Sequence, residues 1–134
     1  MTQANPTPFE VIGEALLYKL IDVFYDNVSR HPELQPIFPE ELSETVRKQK
    51  QFMTQYLGGP SLYTEEHGHP MLRARHLPFE ITPSRAEAWL SCMRQAMDTV
   101  GLVGDIREFY YHRLHLTAQH MINTTDQDMK GEEN

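Results

Sequence analysis

The sequence predicts an all-α protein with four main helices, on three observations. Apolar residues recur at three- and four-residue steps over four long stretches. Prolines and glycines fall between those stretches, and no strand-like alternation of useful length appears. At 134 residues the chain makes one domain, large enough to bury a core or a cofactor.

In the first helix Ile12, Leu16, Leu20, Phe24 and Val28 repeat at helical spacing. Leu17, Ile21 and Tyr25 form a neighbouring inward line, which turns the Tyr25 phenol toward the interior. His31-Pro32 stops this helix, because proline disfavours helical backbone in the residue before it. Pro32, Pro36 and Pro39 then allow only short turns around Ile37-Phe38, and Phe38 reads as a plug at the core edge.

Ser43 reads as the N-cap of a second helix running to about Leu57, stopped by Gly58-Gly59-Pro60. Its inward line is Thr45, Gln49, Phe52, Met53 and Tyr56. A buried amide without a partner costs ~1–3 kcal/mol, so Thr45 and Gln49 call for something polar opposite them. Ser61 to His69 reads as a loop. Pro70 suits the first position of a short helix through Met71, Leu72 and His76, which Pro78 closes.

Thr82-Pro83 pairs a cap with an N1 proline and opens a third helix. Its inward residues are Ala86, Trp89, Leu90, Met93, Ala96, Met97 and Val100, and Gly101 ends it. Asp105 and Glu108 resemble a capping box before the last helix, which bears Ile106, Phe109, Tyr110, Leu116 and Met121. The domain therefore spans 8–123, with a flexible extension at 1–7 and a disordered tail at 124–134.

The formal charge of -7 argues against nucleic-acid or anionic-membrane partners, which are held by excess Lys and Arg. One basic island, His67 to Arg75, has two Arg, two His and no carboxylate. The amino terminus shows no basic or apolar leader pattern, no apolar run is long enough to span a bilayer, and Cys92 stands alone. Together these predict a cytoplasmic protein.

Several chemistries find no support. His67-Gly68-His69 with His76 is a weak zinc pattern, since the first two flank a glycine in a loop and no Cys joins them. A di-iron bundle needs paired Glu-x-x-His motifs, and only Glu66-His67-Gly68-His69 comes near. His112 and His115 read as surface residues. No Gly-x-Ser-x-Gly sequence and no glycine-rich phosphate loop is present. His76, on a short proline-bounded segment with Leu72 beneath it, suits either a structural histidine or a haem-iron ligand on spacing alone.

Six motifs occur together and in order: Phe24-Tyr25, Lys48-Gln49, Gln55-Tyr56-Leu57-Gly58-Gly59-Pro60, His67-Gly68-His69-Pro70, Leu72-Arg73-Ala74-Arg75-His76 and Ala88-Trp89-Leu90. Over residues 8–123 the chain closely resembles a bacterial group II truncated haemoglobin. The resemblance implies a shortened globin fold, a two-over-two antiparallel helix sandwich around haem b. It implies His76 as the proximal iron ligand of a pentacoordinate haem, and Tyr25, Thr45, Gln49 and Trp89 on the distal side. Phe38, Leu72 and Phe52 would pack against the haem. Lys48 and Arg75, with Tyr63 and Arg73, would meet its propionates. The family often has Gly-Gly where this chain has Gly13-Glu14, which puts the first interhelical corner in question, and the small Thr45 suggests an open approach for ligands.

Bound O2 carries partial negative charge, so Tyr, Trp and Gln donors aimed at it favour retention. The resemblance therefore implies an O2-binding haem protein, monomeric or weakly dimeric. Redox activity toward peroxide or NO, with a separate reductase, is one use. Non-enzymatic storage, scavenging or sensing of O2 or sulfide is the alternative, and a haem-free helical interaction module is the third.

Overall fold

The computed structural model describes residues 5–71, 74, 76 and 79–125. Among these residues there are six α-helices and no strand. Helix α1 (Pro8–Ile12) is closed by a capping box in which the Thr7 hydroxyl accepts from the Glu10 N–H and the Glu10 carboxylate accepts from the Thr7 N–H. Helix α2 (Glu14–Ser29) follows after a single residue. That residue, Gly13, has φ 87°, which a side chain would strain. One glycine thus makes the corner that the sequence left in question, and Glu14 is already helical.

The expected stop after α2 is found, followed by a 3-10 turn over Gln35–Ile37. Helix α3 (Ser43–Tyr56) starts one residue earlier than expected. Ser43 is its first residue and Leu42 its cap position, because the Glu41 carboxylate accepts from the Ser43 N–H at 2.8 Å and so replaces a hydroxyl cap. At its far end Gly58, with φ 94°, and Gly59 bring α1 alongside, and the Phe9 N–H donates to the Leu57 carbonyl at 2.9 Å.

The stretch read as a loop contains helix α4 (Leu62–His67). Gln55 holds its start through the Thr64 N–H at 2.9 Å and the Thr64 hydroxyl at 2.7 Å. Its end is tied to α3 by an Arg47–Glu66 ion pair at 2.7 Å and by His67 Nε2 against Gln51 Oε1 at 2.8 Å. These side-chain anchors are non-local, which is why periodicity did not reveal the helix. Pro70 and Met71 are not helical, and Met71 has φ 46°, so the expected short helix does not begin at Pro70. Ala74 and His76 are helical.

Helix α5 (Pro83–Val100) starts as expected, the Thr82 hydroxyl accepting from the Arg85 N–H at 3.1 Å, and ends on Gly101 in the left-handed region. Helix α6 (Asp105–Met121) has Gly104 at its cap position with no side-chain cap, so the expected Asp105–Glu108 box is not formed. The α6 face also differs from expectation. Tyr110, Leu114 and Met121 are buried, whereas Phe109 and Leu116 are exposed.

Helices α2 and α5 cross at the centre, α3 lies on α2 and α6 on α5, which makes two helix pairs facing one another. Their shared core includes Leu17, Leu20, Ile21, Phe24, Leu90, Met93 and Met97, all fully buried. Asn27 Nδ2 donates to the Cys92 carbonyl at 3.2 Å and sets α2 against α5. No helix among the described residues is long and apolar enough to cross a membrane.

Candidate functional site

Between the two helix pairs lies a cavity of about 280 Å³. Each pair contributes a wall because each carries an inward stripe interrupted by polar or small residues. Tyr25 reaches it from α2, Thr45, Gln49 and Phe52 from α3, Trp89 from α5, and Leu114 and Ala118 from α6. Phe38 and Phe79 close it from the connections, and His76 lines it as well.

Ring packing orients these groups. Tyr25 stands edge-on to Phe24 at 4.8 Å and to Phe38 at 6.1 Å between centroids. Tyr25 is only 5% exposed, and burial pushes its phenol well above the ordinary tyrosine range. It is therefore a neutral hydrogen-bond donor at any physiological pH. Gln49, Thr45, Trp89 and His76 are half-buried, which fits side chains facing an internal space. On the α6 side the Tyr56 and Thr117 hydroxyls, both in the wall, pair at 3.1 Å.

The cavity thus gathers His76, Tyr25, Thr45, Gln49, Trp89, Phe38 and Phe52. It does not gather all the residues singled out from the sequence. Lys48 is half-buried on α3 and is not in the cavity wall. Tyr63 is buried behind Phe52, with its ring 5.9 Å from that of Phe52 and 4.8 Å from that of His67. Leu72, Arg73 and Arg75 lie outside the described residues.

Among the wall residues that went unnoticed in the sequence, Arg85 is the one that carries a charge. Arg85 is 8% exposed, and its guanidinium donates to the Glu33 carbonyl at 3.1 Å and the Glu80 carbonyl at 2.6 Å. It thereby braces the segment after α2 against the segment before α5. Its position one turn ahead of Trp89, on the same helical face, was the available signal.

The donor set is informative about what the cavity suits. Among the described residues no three His, Cys, Asp or Glu side chains group to hold a bare metal ion. One imidazole set among aromatic and aliphatic walls instead suits a flat apolar macrocycle whose metal already has four ring ligands and needs one axial donor. The residues present fit haem.

Comparison with known proteins agrees. Residues 7–123 match the model of the family described as bacterial-like globin. The chain is 68% identical over 126 residues to the Group 2 truncated hemoglobin YjbI of Bacillus subtilis (strain 168), covering 94% of this chain and 96% of that protein. Among solved structures, the group II truncated hemoglobin of Bacillus anthracis superposes with a TM-score of 0.90 at 71% identity, covering 91% of this chain and 100% of that one. A truncated oxygen-avid haemoglobin from Bacillus subtilis superposes at 0.87 with 69% identity, covering 88% and 100%. With its two facing helix pairs and the cavity between them, this chain belongs to the bacterial-like globins, of the group II truncated type, a family that implies a haem cofactor.

Proposed function

We propose that the chain binds haem b with the His76 imidazole as its one protein ligand and retains O2 on the opposite side through Tyr25, Gln49 and Trp89. The observation that carries this reading is the convergence of His76 with those three donors on one cavity among aromatic walls.

Haem, when bound, supplies an iron atom that shares charge with a diatomic ligand. The chain supplies the rest. Tyr25 contributes a phenol kept neutral by burial. Trp89 contributes an indole N–H and Gln49 an amide, and neither group loses its proton at physiological pH. Donors fixed in advance would stabilise negative charge on a bound diatomic ligand without reorganising, and they act more strongly among apolar walls than in water. By the family resemblance Lys48, Arg73 and Arg75, with the Tyr63 hydroxyl, would hold the haem carboxylates. Tight retention suits consumption of the ligand in place, in peroxide or NO chemistry, or its scavenging, more than delivery. The 69% identical relative described as oxygen-avid supports retention as the property to measure.

Stopped-flow O2 dissociation tests the proposal in Trp89→Phe, Tyr25→Phe and Gln49→Leu. Each lost net bond of ~1 kcal/mol speeds release about five-fold. Unchanged release in all three variants would remove the distal part of the reading. A Soret spectrum with unaltered axial ligation in His76→Ala would remove the proximal part.

A further inference from the structure

Helix α6 ends at Met121, yet the residues that follow are held to the body of the protein. The Asn123 N–H donates to the Ile81 carbonyl at 2.9 Å, and the Thr124 N–H donates to the same oxygen at 3.2 Å. The Asn123 side chain grips the same segment. Its Oδ1 accepts from the Ile81 N–H at 2.9 Å and from the Thr124 hydroxyl at 2.8 Å. Its Nδ2 donates to the Phe79 carbonyl at 2.9 Å and the His76 carbonyl at 3.3 Å.

A primary amide has two acceptor lone pairs and two donor hydrogens. All four are in use here. Three of the four go to a segment more than forty positions away in sequence, between His76 and Ile81. No other side chain of this size matches that set. An ionised Asp cannot donate, and Ser reaches neither carbonyl while accepting from Ile81.

We propose that Asn123 is a positioning residue for His76. It fixes the His76 peptide carbonyl and ties Phe79 and Ile81 to the end of α6, which sets where the imidazole stands relative to the haem iron. Arg85 steadies the same segment through the Glu80 carbonyl. An imidazole is joined to its backbone by only two rotatable bonds, so backbone placement governs its distance and tilt. The inference rests on His76 being the axial ligand.

The test uses the haem-loaded full chain with Asn123→Asp and Asn123→Ala, beside Leu116→Ala, an exposed α6 change outside those contacts. Resonance Raman of the ferrous, ligand-free protein reads the iron–imidazole stretch, and transfer to excess apomyoglobin reads haem loss. In both Asn123 variants the band shifts and broadens, and haem loss quickens about tenfold. Leu116→Ala changes neither. A role in stability alone would lower the unfolding midpoint and leave the band in place, so an unmoved band in folded Asn123→Asp overturns the proposal whatever the transfer rate. The near-isosteric Asp variant decides the matter if the Ala variant fails to fold. His76→Ala separates the premise from the inference: an iron–imidazole band there without added imidazole sinks the ligand assignment, independently of Asn123.

Discussion

The Trp89 indole meets the Phe24 ring edge-to-face, with centroids 4.9 Å apart and planes at 69°. Phe24 is fully buried and stands edge-on to Tyr25 as well, so one ring of the α2–α5 core orients two residues of the cavity wall. Phe24→Leu keeps most of the volume but loses both edge contacts, each worth ~0.5–1.5 kcal/mol. The expected outcome is a protein less stable by about 1–3 kcal/mol in urea denaturation, with faster O2 release although no cavity residue has changed. Unaltered release would mean that Tyr25 and Trp89 are oriented from elsewhere.

Alkaline pH tests the buried phenols. Burial raises both Tyr25 and Tyr110 above the ordinary tyrosine value of 10.0. In the unfolded chain they ionise near that value, while in the folded protein they stay neutral. Their contribution is therefore complete below pH 10 and is lost as pH rises above it, at about 1.4 kcal/mol per pH unit for each group. Denaturation midpoints from pH 8 to 11 should fall only beyond 10, and less steeply in Tyr110→Phe.

Tyr110→Phe carries a second expectation at neutral pH. The Tyr110 hydroxyl is fully enclosed and has no hydrogen-bond partner among the described residues. Removing an unpaired buried hydroxyl relieves a desolvation cost of about 1–3 kcal/mol, so this variant should equal or exceed the parent in stability. A clear loss of stability would reveal a hydrogen bond at that site.

Arg85 is a brace rather than a free cation. Arg85→Met fills similar space but leaves the Glu33 and Glu80 carbonyls unpaired, which should cost about 1–3 kcal/mol per unpaired group in thermal or chemical unfolding. Arg85→Lys should recover little, because one ammonium cannot reproduce a planar fork spanning two carbonyls. Full recovery by Lys would show that charge, not geometry, matters there.

Gly59, just past the end of α3, lies against Phe9 of α1 and Thr54 of α3. A Cβ there would stand 2.7 Å from Phe9 Cδ2 and 2.9 Å from Thr54 Cγ2. With neighbours on two sides, Gly59→Ala should destabilise by about 1–3 kcal/mol. Gly59→Ala combined with Phe9→Leu should recover part of that loss.

Much of the site was legible because helical periodicity and motif order depend on sequence neighbours. The inward lines of α2, α3 and α5 placed Tyr25, Thr45, Gln49, Phe52 and Trp89 on faces that do meet at the cavity. What escaped depends on distant partners. Helix α4 exists through Arg47, Gln51 and Gln55 of α3. The expected caps at Ser43 and Asp105 were displaced by neighbouring geometry. Phe109 and Leu116 share α6 with Tyr110 and Leu114 but turn outward, because the face packed on α5 is set by the crossing of the helices.

The sequence by itself determined the helical class, most of the helix boundaries and the inward lines that supply Tyr25, Thr45, Gln49, Phe52 and Trp89 to the cavity wall, since these follow from short-range spacing, while its ordered motifs carried the family resemblance. Only the tertiary structure decided that Arg85 braces the cavity and that Asn123 holds the His76 and Phe79 carbonyls. Both act on backbone carbonyls far away in the chain. Every residue carries such a group, so no pattern of side chains announces which carbonyl will be held.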